Sequence, residues 1–248
     1  MTGNHTTGRV WPTAALWDAG LRLGHTLTLP PLPLRPAAAG MRLSGPLRRV
    51  PHTHGVASIL DALDASAPGD VLLIDNQGRT DEACVGDLVA IEARLAKIAG
   101  ILVWGCHRDS DDLAVIGLPV FSLGPCPASP TPRPAPTDTG PGARGAAGTG
   151  GAGTGAAGGG SGQAFKAVDG DIAVADSDGL VLIPAAAHHD ILDTARTIVQ
   201  AEQHQANQAL GGISLREQLR WHDYQEQRRT DPTYTFRAHL TRINGALE

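Results

Sequence analysis

The sequence predicts an α/β domain built on a parallel strand–helix–strand core and followed by a helical C-terminal extension. Three observations predict it. Two compact apolar runs, Val71-Leu72-Leu73-Ile74 and Ile101-Leu102-Val103-Trp104, are bounded by turn residues, as buried strands are. Between them residues 88–99 carry apolar side chains at helical spacing, and the short joints make the three a βαβ unit with a right-handed crossover. After Pro184 only helical patterns follow, among them the capping box Ser214-Leu215-Arg216-Glu217.

Residues 12–23 read as a short helix, with Thr13 at its cap and Ala14, Ala15, Leu16, Ala19 and Leu23 as apolar positions. The proline-rich stretch 29–36 is irregular, because each Pro removes a donor and restrains its neighbour. Residues 41–50 suggest a strand, and Ile59, Leu60 and Leu63 mark a helix that ends at Ala67-Pro68-Gly69. The strand at 71–74 stops at the turn Asp75-Asn76-Gln77-Gly78. In the helix that follows, Leu88, Ile91, Leu95 and Ile98 form the apolar face, with Glu92, Arg94 and Lys97 turned away and Gly100 as the stop. Ser110-Asp111-Asp112-Leu113 opens a helical turn, and residues 118–122 return as a strand.

From Pro125 to about Gly162 the composition changes to Pro and Thr, then to a Gly/Ala/Thr tract without a large apolar residue. Such a segment buries too little surface to offset its ordering entropy, so it reads as a flexible linker or surface loop. It is a poor phosphate-binding loop, since no strand enters it and no Lys-Ser/Thr pair follows. Residues 172–175 and 180–183 are short strands across the turn Asp176-Ser177-Asp178-Gly179. A long helix spans 187–210 and stops at Gly211-Gly212; the capping box then starts a helix to about Arg229, which Asp231-Pro232 breaks before a last piece from Thr235. The boundaries that result are 1–124 for a first domain part carrying the chemistry, 125–163 for the linker, 164–212 for the rest of the domain and 213–248 for the helical extension.

The bulk numbers are those of a soluble globular protein: 248 residues, 42% hydrophobic and 18% charged. A formal charge of −5 and a pI near 6.0 supply no electrostatic reason for a nucleic-acid partner or an anionic membrane, and none is expected. Aromatics make up only 4%, so the core is mostly Ala, Val, Leu and Ile. Cys84, Cys106 and Cys126 are odd in number and lack zinc-site or disulfide spacing, which fits a reducing, cytoplasmic location with the thiols as core fillers. The N-terminal Met1-Thr2-Gly3-Asn4-His5 shows no secretory pattern, and no apolar run approaches the roughly 18 residues of a membrane helix.

The chemistry concentrates at Gly86-Asp87-Leu88 and, one helix and one strand later, at His107-Arg108-Asp109. In a parallel sheet the strand exits and helix starts meet on one edge, where ligands bind. Backbone N–H groups of Gly86, Asp87 and Leu88 at a helix start are unpaired donors suited to a carboxylate, and Arg108 can hold the same group bidentately. Asp109 is a hard oxygen ligand suited to Mg²⁺ or Mn²⁺ that keeps most of its waters. An Arg-Asp pair after a strand is commonly a surface turn and ion pair, so spacing alone leaves both readings open.

The segments 69–75, 83–88 and 99–109 together resemble the core of the RraA-like family, which includes 4-hydroxy-4-methyl-2-oxoglutarate aldolases and the protein regulator of ribonuclease E activity. Residues 13–19 and 169–184 extend the resemblance, and 215–220 with 231–237 are similar to a longer-tailed subgroup. The resemblance implies a swivelling β/β/α domain, assembled as homotrimers or paired trimers with sites near subunit boundaries. It implies a divalent-metal class II pyruvate aldolase, a lyase acting on a small 2-oxo acid, with oxaloacetate decarboxylation at the same site. Carried onto this chain, Gly86, Asp87, Leu88 and Arg108 bind the substrate carboxylate. Asp109 ligates Mg²⁺ or Mn²⁺, and Asp87 orients a metal-held water, so Arg108, Asp109 and Asp87 form the catalytic set.

Departures from the family pattern keep other readings open. His107 stands where many members have a small or aliphatic residue, and a packed, hydrogen-bonded histidine is the simpler reading of it. The acidic residue that some members supply from a neighbouring subunit has no clear match; Glu217 and Glu226 are candidates. His52-Thr53-His54 lacks a convincing third ligand and reads as loop histidines, and Ser44, Ser58 and Ser122 have no adjacent base. Tyr234, Phe236 and Leu240 need a surface to pack on, which a neighbouring subunit would supply. A non-catalytic regulatory binding protein of the same fold is the alternative function, and a paralogue specialised for another substrate is a third.

Overall fold

The computed structural model describes residues 10–53, 55–130 and 165–243. Residues 131–163 of the expected linker, and His54, lie outside the described residues. The chain divides into two compact units, one of Met1–Thr13 with Thr28–Ala185 and one of Ala14–Leu27 with Ala186–Glu248.

The first unit carries seven strands: β1 (Arg35–Pro36), β2 (Leu43–Pro51), β3 (Val71–Val85), β4 (Gly100–His107), β5 (Val120–Ser122), β6 (Ile172–Asp176) and β7 (Gly179–Ile183). They form one sheet in the order β1-β5-β4-β3-β2-β6-β7. Strands β2 to β5 are mutually parallel, and β1, β6 and β7 join antiparallel. The helices α2 (Val56–Asp64), α3 (Asp87–Leu95) and α4 (Ser110–Ile116) follow β2, β3 and β4 in turn, whereas α1 (Thr13–Leu23) belongs from Ala14 onward to the second unit.

Alternation along the strands sorts the side chains into two cores. Leu72, Ile74, Ile101, Val103 and Val120 pack with Ile59, Leu63, Val89, Ala90, Ala93 and Leu113 from the three helices. Val71, Leu73, Leu102, Trp104 and Phe121 pack on the opposite side with Ala173, Ala175, Leu180 and Leu182 of the β6–β7 hairpin and with Phe165. Trp104 and Phe165 meet with ring centroids 5.5 Å apart, supplying aromatic area in a core otherwise made of aliphatic residues. Helices, parallel strands and hairpin thus give the β/β/α layering of a swivelling domain, with a helical C-terminal region after it.

Several local expectations change. The strand at 71–74 does not stop at Gln77-Gly78: both residues adopt left-handed conformations, φ 58° and 69°, and the chain bulges and rejoins β4 as far as Val85. Polar residues 75–82 hid this continuation. On α3 the buried stripe is Val89, Ala90 and Ala93, whereas Leu88 and Leu95 are 71% and 70% exposed. Small residues let the helix lie close on the sheet, and two opposed apolar stripes cannot be ranked by spacing alone. The helix ends at Leu95 rather than 99, because Lys97 turns left-handed at φ 61°. Thr13 is not a free cap; its N–H and hydroxyl donate to Asp176 at 3.0 and 2.8 Å.

The second unit holds α5 (His188–Leu210), α6 (Leu215–Gln218), α7 (Trp221–Thr230) and α8 (Phe236–Ile243). The helix expected from 214 to 229 breaks at Arg220, which is left-handed at φ 46°. Tyr234 and Phe236 pack within this unit, on Tyr224, Trp221 and the buried His239, whose Nε2–H donates to the Leu219 carbonyl at 2.8 Å. The capping box forms in full: the Glu217 N–H donates to Ser214 Oγ at 3.3 Å and the Ser214 N–H to Glu217 Oε2 at 2.8 Å. Ser214→Ala is expected to destabilise this helix start by about 1 kcal/mol. Faster amide exchange confined to residues 215–219 checks it, and unchanged exchange would contradict it.

Candidate active site at the exits of the third and fourth strands

Gly86 links β3 to α3 and caps the helix from an extended conformation, φ −138° and ψ −164°, its carbonyl accepting the Ala90 N–H at 3.1 Å. One strand over, the Arg108 N–H donates to the Val85 carbonyl at 2.9 Å, which locks the exit of β4 beside that of β3. Asp109 is then thrown left-handed, φ 58° and ψ 44°, at the start of α4. Aspartate tolerates this region better than most residues, and such conformations gather at functional sites.

The result is a contact between residues distant in sequence. Asp109 Oδ2 accepts the Asp87 N–H at 3.3 Å and lies 3.3 Å from Arg108 Nε. Arg108 Nη1 donates to Ser129 Oγ at 2.6 Å, so the guanidinium is held at both ends. A Cβ on Gly86 would overlap Asp109 Oδ2 and sit 3.2 Å from Arg108 Cγ and Nε; only glycine admits this approach. Beside the contact lies a cleft of about 350 Å³, walled by Gly86, Asp87, Leu88, Arg108, Ser129, Cys84, Val56 and His52 among others. That volume suits a small ligand.

The expected residues therefore come together, with one correction. The N–H groups of Asp87 and Leu88 are not unpaired: Asp109 takes the first, and Asp87 Oδ1 takes the second at 2.7 Å. Short carboxylates next to a helix N-terminus satisfy its donors before a ligand arrives. Asp109 itself stands behind Gly86 rather than in the cleft wall, with about a third of its side chain exposed. Among the described residues no group of three or more His, Cys, Asp and Glu side chains converges as a complete metal cage.

His107 is buried, and its ring nitrogens meet Ser122 Oγ at 2.7 Å and Ser110 Oγ at 3.0 Å. It braces Arg108-Asp109 from within the protein, as a packed histidine. Burial lowers its pKa from the ordinary 6.5, with Asp109 opposing in part. The unfolded chain therefore binds this proton more readily than the folded one, so stability is full above about pH 6.5 and falls as pH drops toward the lowered value. Denaturant midpoints between pH 7 and 5 should fall less in His107→Asn than in the parent; equal slopes would exclude His107 as the source. Cys84 faces the cleft, but burial pushes its thiol up to about 12, which makes it a wall element and not a nucleophile.

Sequence reading missed Ser129, at the edge of the Pro-rich tract, and a polar chain on the cleft's other side. His52 Nδ1 lies 3.3 Å from Asn76 Oδ1, and Asn76 Nδ2 donates to Glu82 Oε1 at 3.3 Å. Asn76 and Glu82 are 1% and 3% exposed. Asn76 sat inside what looked like the turn 75–78, and Glu82 in the polar stretch just after it.

Comparison with known proteins identifies the family. The family model described as Aldolase/RraA matches residues 13–182. A Halalkalibacterium halodurans protein provisionally named 4-hydroxy-4-methyl-2-oxoglutarate aldolase is 28% identical over 192 residues, 77% of this chain and 81% of that one. A Xanthomonas campestris pv. campestris protein with the same provisional name is 43% identical over 65 residues, 25% of this chain; that match spans 39% of the relative's own length. Streptomyces coelicolor RraAS2, described as an unusual member of the RNase ES inhibitor RraA protein family, superposes with a TM-score of 0.57 at 22% identity, covering 77% of this chain and 89% of that one. With the family model spanning most of the sequence and the β/β/α layers in place, the chain belongs to the RraA-like aldolase/RraA family.

Proposed function

We propose that the protein is a divalent-metal-dependent pyruvate aldolase of the class II type. It cleaves a 4-hydroxy-2-oxo dicarboxylate resembling 4-hydroxy-4-methyl-2-oxoglutarate to pyruvate, with oxaloacetate decarboxylation as a side activity. The observation that carries the reading is the Asp109 carboxylate pinned between the Arg108 guanidinium and the Asp87 amide, two residues that line a cleft sized for a short dicarboxylate. Arg108 pairs with the substrate carboxylate, and the α3 N-terminus at Gly86, Asp87 and Leu88 adds its dipole.

The donor set fits Mg²⁺ or Mn²⁺. Both described contacts of Asp109 fall on Oδ2, which leaves Oδ1 as the oxygen to offer, and hard cations of this kind bind through one or two carboxylates while keeping water. Such an ion supplies Lewis-acid polarisation of the 2-oxo group when bound. Asp109 holds it and Asp87 orients the polar groups around it. Arg108, clamped by Ser129, fixes the substrate so that the bond to be broken lies against the cleft.

We also propose assembly as a homotrimer or hexamer. Leu88, Ile91 and Leu95 make an exposed apolar stripe that begins at the cleft wall, and a second copy is the occupant that would bring a neighbour's residues to the site. A cytoplasmic location accompanies this reading; among the described residues no helix is long and apolar enough to cross a membrane. The regulatory alternative assigns no task to the Asp87–Arg108–Asp109 contact, which is why the enzyme reading is preferred. The test is pyruvate release from oxaloacetate and from 4-hydroxy-4-methyl-2-oxoglutarate with Mg²⁺, with Mn²⁺ and with chelator. Metal-dependent release is expected, and a folded, metal-loaded oligomer inert toward both would remove the proposal.

A further inference from the structure

We propose that Ser129 is a substrate-binding residue of this cleft, its hydroxyl completing with Arg108 a clamp on the 2-oxo acid carboxylate; the proposal rests on the aldolase reading above. Arg108 and Ser129 line the cleft together, and Arg108 Nη1–H donates to Ser129 Oγ at 2.6 Å.

The polarity of that bond decides what Ser129 has to offer. A guanidinium only donates, so Ser129 Oγ spends a lone pair on it and keeps its own hydrogen. Ser129 is exposed in the cleft wall, where the O–H can rotate toward an anion held by Arg108. Arg108 divides its donors among its neighbours: Nε lies 3.3 Å from Asp109 Oδ2 and Nη1 meets Ser129, so Nη2 is the nitrogen to offer. One carboxylate oxygen then takes a guanidinium N–H and the other takes the serine O–H.

The site has a use for such a donor. The N–H groups of Asp87 and Leu88, which a helix start would otherwise present to an anion, are engaged by Asp109 Oδ2 and Asp87 Oδ1. Asp109 also shares the charge of Arg108, which weakens the guanidinium as the sole holder of an anion. A hydroxyl adds a hydrogen bond to a charged group, and such bonds are stronger than those between neutral partners.

The position of Ser129 is built by a strap that leaves β5 and runs across two strand exits. The Leu123 N–H donates to the Gly105 carbonyl at 2.9 Å, the His107 N–H to Gly124 at 3.1 Å, and the Cys126 N–H to His107 at 2.8 Å. The strap then reaches β3, where the Ala83 N–H donates to the Ala128 carbonyl at 2.8 Å. It is thus tied to the strands whose exits carry Arg108 and Gly86, and Ser129 is the next residue. Pro125, Pro127 and Pro130 restrain the chain along this path, and a following proline disfavours helical backbone at Ser129 itself. A serine presented by a stiff, anchored segment loses little freedom when it binds.

Ser129→Ala should raise KM for oxaloacetate about 10-fold with kcat within about twofold of the parent, as expected when uniform binding is lost. Ser129→Thr, which keeps the hydroxyl, should recover most of that loss. Pyruvate titrated calorimetrically into the Mg²⁺-loaded protein should bind Ser129→Ala about 10-fold more weakly. The ¹⁵N resonance of Arg108 Nε should keep its position in that variant, because Asp109 still holds that end. Parental KM and pyruvate affinity in Ser129→Ala, or equal losses in the Ala and Thr variants, overturn the role of Ser129. A moved or broadened Nε resonance overturns it too, since Ser129 would then be a prop for Arg108 and not a substrate ligand. A parent that binds pyruvate but turns over neither substrate overturns the aldolase reading alone, with the clamp still judged by the titration. A parent that neither binds pyruvate nor turns over either substrate overturns both.

Discussion

Asp109→Ala is expected to reduce pyruvate release by roughly 10²–10³-fold while the protein stays folded. The carboxylate touches both the α3 N-terminus and the Arg108 guanidinium, each at 3.3 Å, so its removal loses this side-chain link, while the bond from the Arg108 N–H to the Val85 carbonyl keeps the two strand exits together. The same change leaves Arg108 without its neighbouring counter-charge, although Ser129 still holds its far end. Ala must also occupy φ 58°, where Asp is better tolerated, so a stability loss of about 1 kcal/mol accompanies the catalytic one. Asp109→Asn separates the two effects, since it keeps the shape and the left-handed tolerance but not the charge. Comparable inactivity in Asn and Ala, with a near-parental melting temperature in Asn, identifies the charge as the essential property. Parental kcat/KM in either variant would remove Asp109 from the site.

Gly86→Ala is expected to lower kcat/KM by about 10²-fold with little loss of stability. The backbone at Gly86 is extended, a conformation Ala adopts freely, so the effect arises from space and not from strain. The new methyl would overlap Asp109 Oδ2 and press on Arg108, displacing the carboxylate from the helix start. Because the clash partner is that side chain, the two changes should not add: in an Asp109→Ala background, Gly86→Ala should cost little more. A double-mutant cycle on kcat/KM reads this directly, and full additivity would place the Gly86 effect elsewhere.

How much of this was legible varies from residue to residue. The strands at 71–74 and 101–104 were readable because both faces are buried, which leaves an unbroken apolar run. The capping box at Ser214 was readable because its partners are three residues apart. The orientation of α3 was not, since the sequence offers a large and a small apolar stripe and only the closeness of the sheet selects Val89, Ala90 and Ala93. The continuation of β3 through Asn76 and Glu82 was hidden because polar residues in a bulge look like a turn. His107 packs inward between two serines, as its simpler reading had it, and His52, in the segment just after β2, lines the cleft, which its sequence neighbours do not reveal.

By itself the sequence determined most of the element order and the family, and it pointed to Gly86-Asp87-Leu88 and Arg108-Asp109 as the candidate site, because these depend on composition and on residues near one another in the chain; it did not show the short strand β1 in the proline-rich stretch. Only the tertiary structure decided that Asp109 meets the Asp87 amide, that Gly86 must lack a side chain, and that Asn76 joins His52 to Glu82. Those contacts are set by how β3 registers on β4 through its bulges. A shift of one residue would turn each side chain to the opposite face, and no local pattern records which register is adopted.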